Sequence, residues 1–322
     1  DVVETVVVDM GSSAFRVGLA GDDIPSTIIP PLIGVPRQGA ILMNVDNYVG
    51  QEAVEKRSIC KMYRPIEKGI ITNWYAMEKI IKHIILHNLK VDIEESNFIF
   101  ADSPLNTLEN KYKLSELMFE TYNIPFLFIG NTASMSLFSN SITTGTVLQS
   151  GYDISTCVSI HEGHMMSKSI LSSDIGGYDC SKYLTDKLYA RHNNNVTWYP
   201  NIIDEIKKQH GYVALDYEQE MLNDISNIQR TYNHTNGNSY SIERERYCCS
   251  EVLFQPSMIG KECSGIHQIL NDSITNSASD LQPQLYRNII LSGGTSLFTG
   301  FQKRLEKEMT YLQPKKNYKI KL

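Results

Sequence analysis

Along the first twenty residues, apolar and polar positions follow a rule that fixes local structure. Thr5-Val6-Val7-Val8 is a β-branched run that ends in an acid, Asp9, and in the small-residue turn Gly11-Ser12-Ser13. Apolar residues then recur at every second position, Phe15, Val17 and Leu19. Period-two patterning around such a turn predicts a strand, tight loop, strand hairpin. The pattern returns at Thr146-Val147-Leu148-Gln149-Ser150-Gly151-Tyr152-Asp153-Ile154-Ser155 and continues through Cys157, Val158 and Ile160. The same unit is therefore used twice. A third glycine turn follows an apolar strand at Asn288-Ile289-Ile290-Leu291-Ser292-Gly293-Gly294-Thr295, and Phe301 to Met309 then takes helical spacing.

Between these turns, helical spacing predicts helices over Trp74 to Leu89, Asn106 to Tyr122, Thr132 to Ser139, Cys180 to Tyr189 and Ile202 to Leu222. Phe98 to Phe100 and Phe126 to Ile129 read as strands, so the class is mixed α/β. Pro30, Pro31, Gly34, Pro36 and Gly39 break an early stretch into turns, and the polar segment Asn223 to Arg246 reads as a loop or hairpin excursion.

A chain of 322 residues exceeds what one core usually serves, which points to two domains or one domain split into lobes. Lys and Arg number 30 against 36 Asp and Glu, so no basic footprint suggests nucleic acid as a direct partner. No apolar run approaches the roughly 18 residues of a membrane span, and the start Asp1-Val2-Val3-Glu4 lacks the basic head of a signal peptide. The expectation is a soluble intracellular protein with no membrane partner. Six scattered cysteines without a CxxC pair read as reduced thiols, and the pairs His83/His87 and His161/His164 read as ordinary packing rather than metal ligands.

A hairpin loop of Gly and Ser presents backbone N–H groups and hydroxyls to a phosphate without steric block. Two such hairpins facing one another would clamp a polyphosphate, and Asp9 at the end of the first strand would hold a hydrated divalent cation through water. Taken alone, Gly-Ser turns after strands are common, and plain turns are the better reading of the isolated loops.

Longer stretches add a resemblance over nearly the whole chain. Asp9-Met10-Gly11-Ser12, Ala20-Gly21-Asp22-Asp23, Pro65-Ile66-Glu67-Lys68-Gly69-Ile70-Ile71-Thr72-Asn73-Trp74, Tyr212-Val213-Ala214-Leu215-Asp216-Tyr217-Glu218-Gln219-Glu220-Met221, Leu253-Phe254-Gln255-Pro256-Ser257 and Leu291-Ser292-Gly293-Gly294-Thr295 are collinear with actin and the actin-related proteins, which the chain resembles. The resemblance implies a two-lobed actin-like ATPase fold, each lobe with a ribonuclease-H-like mixed sheet flanked by helices, and ATP or ADP with Mg2+ or Ca2+ in the cleft between them. It implies a first subdomain at 1–30 and 65–139, a second at 31–64, a third at 140–175 and 262–322, and a fourth at 176–261. Gly11, Ser12, Ser13 and Arg16 fall on the first phosphate loop and Gly151, Tyr152, Asp153 and Ile154 on the second. Gly177, Lys207, Gly293, Gly294, Thr295, Leu297 and Phe298 fall on the purine and ribose wall. Asp9, through water, is the implied metal residue, with Asp153 as a second candidate.

The departures from that pattern carry the functional expectation. Where the family positions the attacking water with glutamine, this chain has Thr132; where it has an acid before the second Ser-Gly, this chain has Gln149; and where histidine completes the water network, Thr156 stands. Tyr152 replaces an acid, Lys208 replaces a ribose-binding acid, and Arg16 replaces a lysine. Hydrolysis by this fold depends on positioning and charge balance, so weak or absent turnover is expected, with no catalytic residue assigned. The loop Gln38 to Asn47, which would dock into a next subunit, is shorter than the family's, and Lys68 replaces a modified histidine. The family pattern also continues beyond Leu322 with elements that complete its first lobe. The resulting expectation is a cytoplasmic, cytoskeletal structural subunit that partners actin, actin-related or actin-binding proteins. The alternatives are a filament-forming actin isoform with ATPase-driven polymerisation and a nuclear subunit of a chromatin-remodelling complex.

Overall fold

A computed structural model of the chain describes residues 3–37, 46–89, 91–192, 196–234, 237–314 and 319–321. Most of the loop Gln38 to Asn47 therefore lies outside the described residues. The chain divides into two compact units, Asp1–Met135 and Ser136–Leu322.

The first unit contains β1 (Thr5–Met10), β2 (Phe15–Leu19), β3 (Thr27–Ile29), β4 (Ile33–Pro36), β5 (Tyr48–Val49), β6 (Cys60–Tyr63), β7 (Ile66–Glu67), β8 (Ile70–Ile71), β9 (Asn97–Asp102) and β10 (Phe126–Asn131). Its helices are α1 (Gln51–Glu55), α2 (Trp74–His83) and α3 (Leu108–Glu116), and α4 (Thr132–Phe138) carries the chain into the second unit. The main sheet has the order β10-β9-β1-β2-β3, with β10, β9 and β1 parallel and β2 and β3 antiparallel. Val6 and Val8 lie opposite Phe98 and Phe100 in register, so the alternating apolar positions share one buried face. Against this core pack Met77, Ile80 and Ile81 of α2 and Leu114 of α3. Asn73 caps α2 by accepting from the Ala76 N–H at 3.0 Å. Asn110 accepts from Trp74 Nε1 at 3.0 Å and donates to the Ile71 carbonyl at 2.9 Å, which ties α3 to α2. A smaller sheet, β5-β4-β6, has its own core of Tyr48, Ala53 and Cys60.

The second unit contains β11 (Gly145–Ser150), β12 (Ser155–His161), β13 (His164–Met165), β14 (Leu171–Ser173), β15 (Arg230–Asn233), β16 (Ser239–Ile242), β17 (Ile289–Ser292) and β18 (Ile320–Lys321). Its helices are α5 (Gly177–Arg191), α6 (Pro200–His210), α7 (Tyr217–Leu222), α8 (Ile225–Ile228), α9 (Glu245–Glu251), α10 (Ile266–Thr275), α11 (Gln282–Arg287) and α12 (Phe301–Leu312). The main sheet runs β13-β12-β11-β17-β18, with β14 also paired to β12. Here β11, β17 and β18 are parallel and β12 and β14 antiparallel. That is the order of the first sheet, strand for strand, so the sequence repeat is a structural repeat and each unit carries a ribonuclease-H-like mixed sheet. β11 and β17 are buried almost throughout, which explains the unbroken apolar run Ile289-Ile290-Leu291 of β17.

Three predicted elements differ in the structure. The helix expected over Ile202 to Leu222 is two helices, because Gly211 ends α6 and Tyr212 then bridges to Thr299. A Cβ on Gly211 would lie 2.4 Å from the Lys207 carbonyl oxygen and 2.7 Å from the Phe298 ring, so the close approach requires glycine. The helices expected to reach Leu89 and Tyr122 loosen into wider turns at Ile84–Asn88 and Leu117–Thr121. The segment Asn223 to Arg246 holds a helical turn, α8, and the hairpin β15–β16, whose Tyr232 and Ile242 join the core around Trp198.

Candidate functional site

The first glycine loop is built by β1 and β2. Asp9 and Arg16 are register partners across the two strands, which places both side chains on one face although seven residues separate them. Arg16 Nη1 donates to Asp9 Oδ2 at 3.0 Å. Burial pushes the Asp9 carboxyl above its ordinary value and the Arg16 charge pulls it back, while solvent still reaches about 40% of the Asp9 side chain. A Cβ on Gly11 would sit 2.8 Å from the Ala14 carbonyl oxygen, so only glycine closes this loop. Arg64 Nη1 donates to the Ser12 carbonyl at 3.1 Å, and because the peptide is planar and trans, that bond turns the Ser13 N–H to the opposite side. The sequence reading missed Arg64. Its signal was a basic residue directly before the Pro65-Ile66-Glu67 stretch.

The second loop repeats the first. A Cβ on Gly151 would sit 3.0 Å from the Ile154 carbonyl oxygen, the same relation as Gly11 to Ala14. Around it the structure gathers segments far apart in sequence. The Gly177 N–H donates to the Gly151 carbonyl at 3.0 Å and the Tyr178 N–H to the Tyr152 carbonyl at 2.7 Å, so α5 starts on this loop. Thr295 Oγ1 donates to the same Gly151 oxygen at 2.7 Å. Gly293 has φ 88°, and a Cβ there would lie 2.3 Å from the Ser150 carbonyl oxygen. A Cβ on Gly177 would lie 2.6 Å from Thr295 Oγ1. Lys207 reaches from α6 to the Gly177 carbonyl at 3.0 Å, to Ser181 Oγ at 2.6 Å and to Asp204 at 3.0 Å. Gly294 has open space where a Cβ would stand. Phe298 packs on the core of the unit, whereas Leu297 is 68% exposed. The Tyr152 ring meets the Tyr178 ring edge-on at 5.7 Å, so an aromatic pair occupies the place where the family pattern has an acid.

The altered positions have a simple geometric relation. Gln149 and Thr156 are register partners across β11 and β12, as Asp9 and Arg16 are across β1 and β2. Each pair stands at the same offset from its loop glycine, two before and five after. The first hairpin therefore carries an ion pair where the second carries a carboxamide and a hydroxyl. Thr156 is buried, and Gln149 also lies beside Ser292 of β17. Thr132 opens α4, whose first turn is capped by Asn131 Oδ1 accepting from the Ala133 N–H at 2.9 Å.

Two like sheets, two like glycine hairpins and the collinear stretches between them agree with what comparison with known proteins finds. The Actin family model matches residues 1–322. The chain belongs to the actin family. It is also 33% identical to the putative actin-29 of Dictyostelium discoideum over 329 residues, which cover 98% of this chain and 84% of that one. Actin-family proteins bind a nucleotide with a divalent cation and associate with other proteins, so the residues of this actin-family chain can be weighed against that ligand. Glycines at 11, 151, 177 and 293 keep the loops bare where side chains would collide, and Arg16 and Lys207 supply positive charge. Among the described residues no group of three or more His, Cys, Asp or Glu could hold a metal by itself. A cation held through phosphate oxygens and water, with Asp9 behind the water, fits this donor set. No described helix is long and apolar enough to cross a membrane. All six cysteines are free, and burial raises the Cys157 and Cys180 thiols to about 12, far from reactive thiolates.

Proposed function

We propose that this actin-family chain holds ATP or ADP with Mg2+ or Ca2+ as a structural ligand, hydrolyses it slowly or not at all, and works as a subunit of a cytoskeletal or other actin-related assembly. On this reading the loops Gly11 to Ser13, with Arg16, and Gly151 to Ile154, one in each unit, carry the phosphates. Gly177, Lys207, Gly293 to Thr295, Leu297 and Phe298 carry purine and ribose, and Asp9 and Asp153 serve the hydrated cation. The four-subdomain division and the cytoplasmic, cytoskeletal address belong to the same proposal.

The observation that carries it is the Gln149–Thr156 pair. Phosphoryl transfer by this kind of site rests on a fixed, polarised water and on charge-balanced metal. A carboxamide facing a hydroxyl supplies neither the carboxylate that balances a hydrated cation nor a base that orients water. Nucleotide bound without turnover still stabilises the native chain by mass action. The test is to purify the full-length protein, age an aliquot for a day, denature it and identify the released nucleotide by chromatography. Retained ATP that stays ATP is the expected result. ADP that accumulates with time would overturn the reading in favour of an ATP-driven filament protein.

A further inference from the structure

The second unit contains a cavity of about 380 Å³ that the nucleotide reading leaves unused. It lies where α6 ends and the chain turns through Gly211 and Tyr212 toward the bridge with Thr299. Two arginines line it. Arg246 donates through Nε to the His210 carbonyl at 2.8 Å and through Nη1 to the Ile228 carbonyl, and its guanidinium lies 4.9 Å over the Tyr212 ring. Arg230, on the hairpin β15–β16, donates to the carbonyls of Gln229 at 2.7 Å and Asn227 at 3.4 Å. These bonds hold both guanidinium groups in place without neutralising them. Among the described residues neither arginine has a carboxylate partner, whereas Arg191 pairs with Glu243 and Glu245, and Arg304 with Glu251 and Glu308.

The charge around the cavity is unbalanced. Glu220 lines it too; its oxygens accept from the Tyr212 hydroxyl at 2.5 Å and the Asn223 amide at 3.2 Å, and its single negative charge faces two guanidinium groups. Glu205, which faces His210, is likewise engaged by Tyr232 and Gln209. Burial lowers the proton affinity of His210, and the charges of Arg246 and Arg230 lower it further against Glu205. Arg246 itself is lowered chiefly by burial and further by Arg230, with Tyr212 and Glu220 pulling the other way. Cations that raise one another's energy inside a recess are relieved by an anion, and planar guanidinium forks match phosphate oxygens.

We propose that this cavity is a second ligand site, for a small molecule bearing a phosphate or pyrophosphate group, which Arg230 and Arg246 grip. Its volume exceeds what a bare phosphate fills and lies at the lower end of the usual range for small-molecule pockets. Gln209 and Asn227 also line the wall. Gly211 lines the cavity, and a Cβ there would meet the Phe298 ring. The proposal stands whether or not the glycine loops hold nucleotide.

Isothermal titration of the full chain with inorganic pyrophosphate in saturating ATP tests it, on wild type, Arg230→Glu and Lys182→Glu. Arg230 is exposed and makes only backbone bonds, so the variant folds; Lys182, exposed on α5, gives the same charge change away from the cavity. Wild type binds, Arg230→Glu weakens binding at least about tenfold, as loss of a charged hydrogen bond should, and Lys182→Glu leaves it within about twofold. Absence of wild-type binding at millimolar pyrophosphate, or equal effects of the two substitutions, overturns the proposal.

Discussion

The pair Arg304–Glu251 offers a quantitative test of how the second unit is held. Arg304, on α12, is 5% exposed and Glu251, on α9, is 0% exposed. Two bonds of 2.8 Å join guanidinium to carboxylate, and Arg304 also donates to Glu308 at 2.6 Å and to the Ala214 carbonyl at 2.8 Å. Its guanidinium lies 4.7 Å over the Phe254 ring. Burial pushes the Glu251 carboxyl up while the bonds from Arg304 pull it back, and the guanidinium facing it does not deprotonate. This single side chain joins α9, α12 and the Val213-Ala214 segment, and α12 begins at Phe301, close after the segment Gly293 to Phe298.

Removing one partner leaves the other charge buried, which costs about 3–5 kcal/mol, while replacing both by apolar groups of similar size is often close to neutral. Arg304→Met and Glu251→Met should each lower the melting temperature of this unit by roughly 10 °C, at about 2–4 °C per kcal/mol for a unit of this size. The double variant should recover most of that loss, giving a coupling of at least about 2 kcal/mol. The chain has two tryptophans, Trp74 in the first unit and Trp198 buried in the second. Denaturant unfolding followed by fluorescence in a Trp74→Phe background therefore reads the second unit alone. A double variant whose loss equals the sum of the singles, or singles that cost under about 1 kcal/mol, would refute the reasoning.

Two further outcomes follow. His267 is half-buried with its enclosed Nδ1 unpartnered and stacks on Phe254 at 5.8 Å, and burial lowers its proton affinity in the folded state. A group depressed this way contributes stability above its unfolded value near 6.5 that is lost as pH falls, so His267→Gln should flatten the decline between about pH 7 and 5, by up to about 1.4 kcal/mol per pH unit; an unchanged slope in denaturant titrations counts against it. Restoring Gln149→Asp, Thr156→His and Thr132→Gln together should raise phosphate release from ATP at least about tenfold in a coupled assay, whereas each change alone should do little because these groups act as a unit; full recovery from one change would contradict that.

Much of the fold was legible because strands at sheet centres are written in runs such as Val6-Val7-Val8 and Ile289-Ile290-Leu291, and the glycine turns that follow them are local signals. The ends of helices were less so. The break at Gly211 is decided by Phe298 and Thr299, almost ninety positions later, and a lone glycine within helical spacing does not announce a tertiary contact. The hairpin β15–β16 agrees with the loop or hairpin excursion read from the polar segment, but its packing was not legible: Tyr232 and Ile242 are few, and the core they join is assembled with α5 and α6. At the site, the loops could be named from sequence, but the Arg64 bond to Ser12 and the Thr295 bond to Gly151 span 52 and 144 residues and leave no periodic trace.

The duplicated hairpin also separates what the fold needs from what chemistry needs. Loop closure in both copies depends on a glycine facing the carbonyl three residues on, and that relation is intact at Gly11 and at Gly151. The register pair beside each loop is free to differ, because a pair on neighbouring strands is stable when its two members match each other. Asp9 with Arg16 matches by charge, and Gln149 with Thr156 matches by neutrality. Had Gln149 alone replaced an acid opposite an ionisable partner, these interior strands would hold an uncompensated charge at a cost of kcal/mol order. Exchange of both members removes that cost and leaves the backbone of the second loop, with its bonds to Gly177, Tyr178 and Thr295, unchanged in kind. On the proposed function, such an exchange keeps the loops that would hold a ligand and gives up the charges that would act on it.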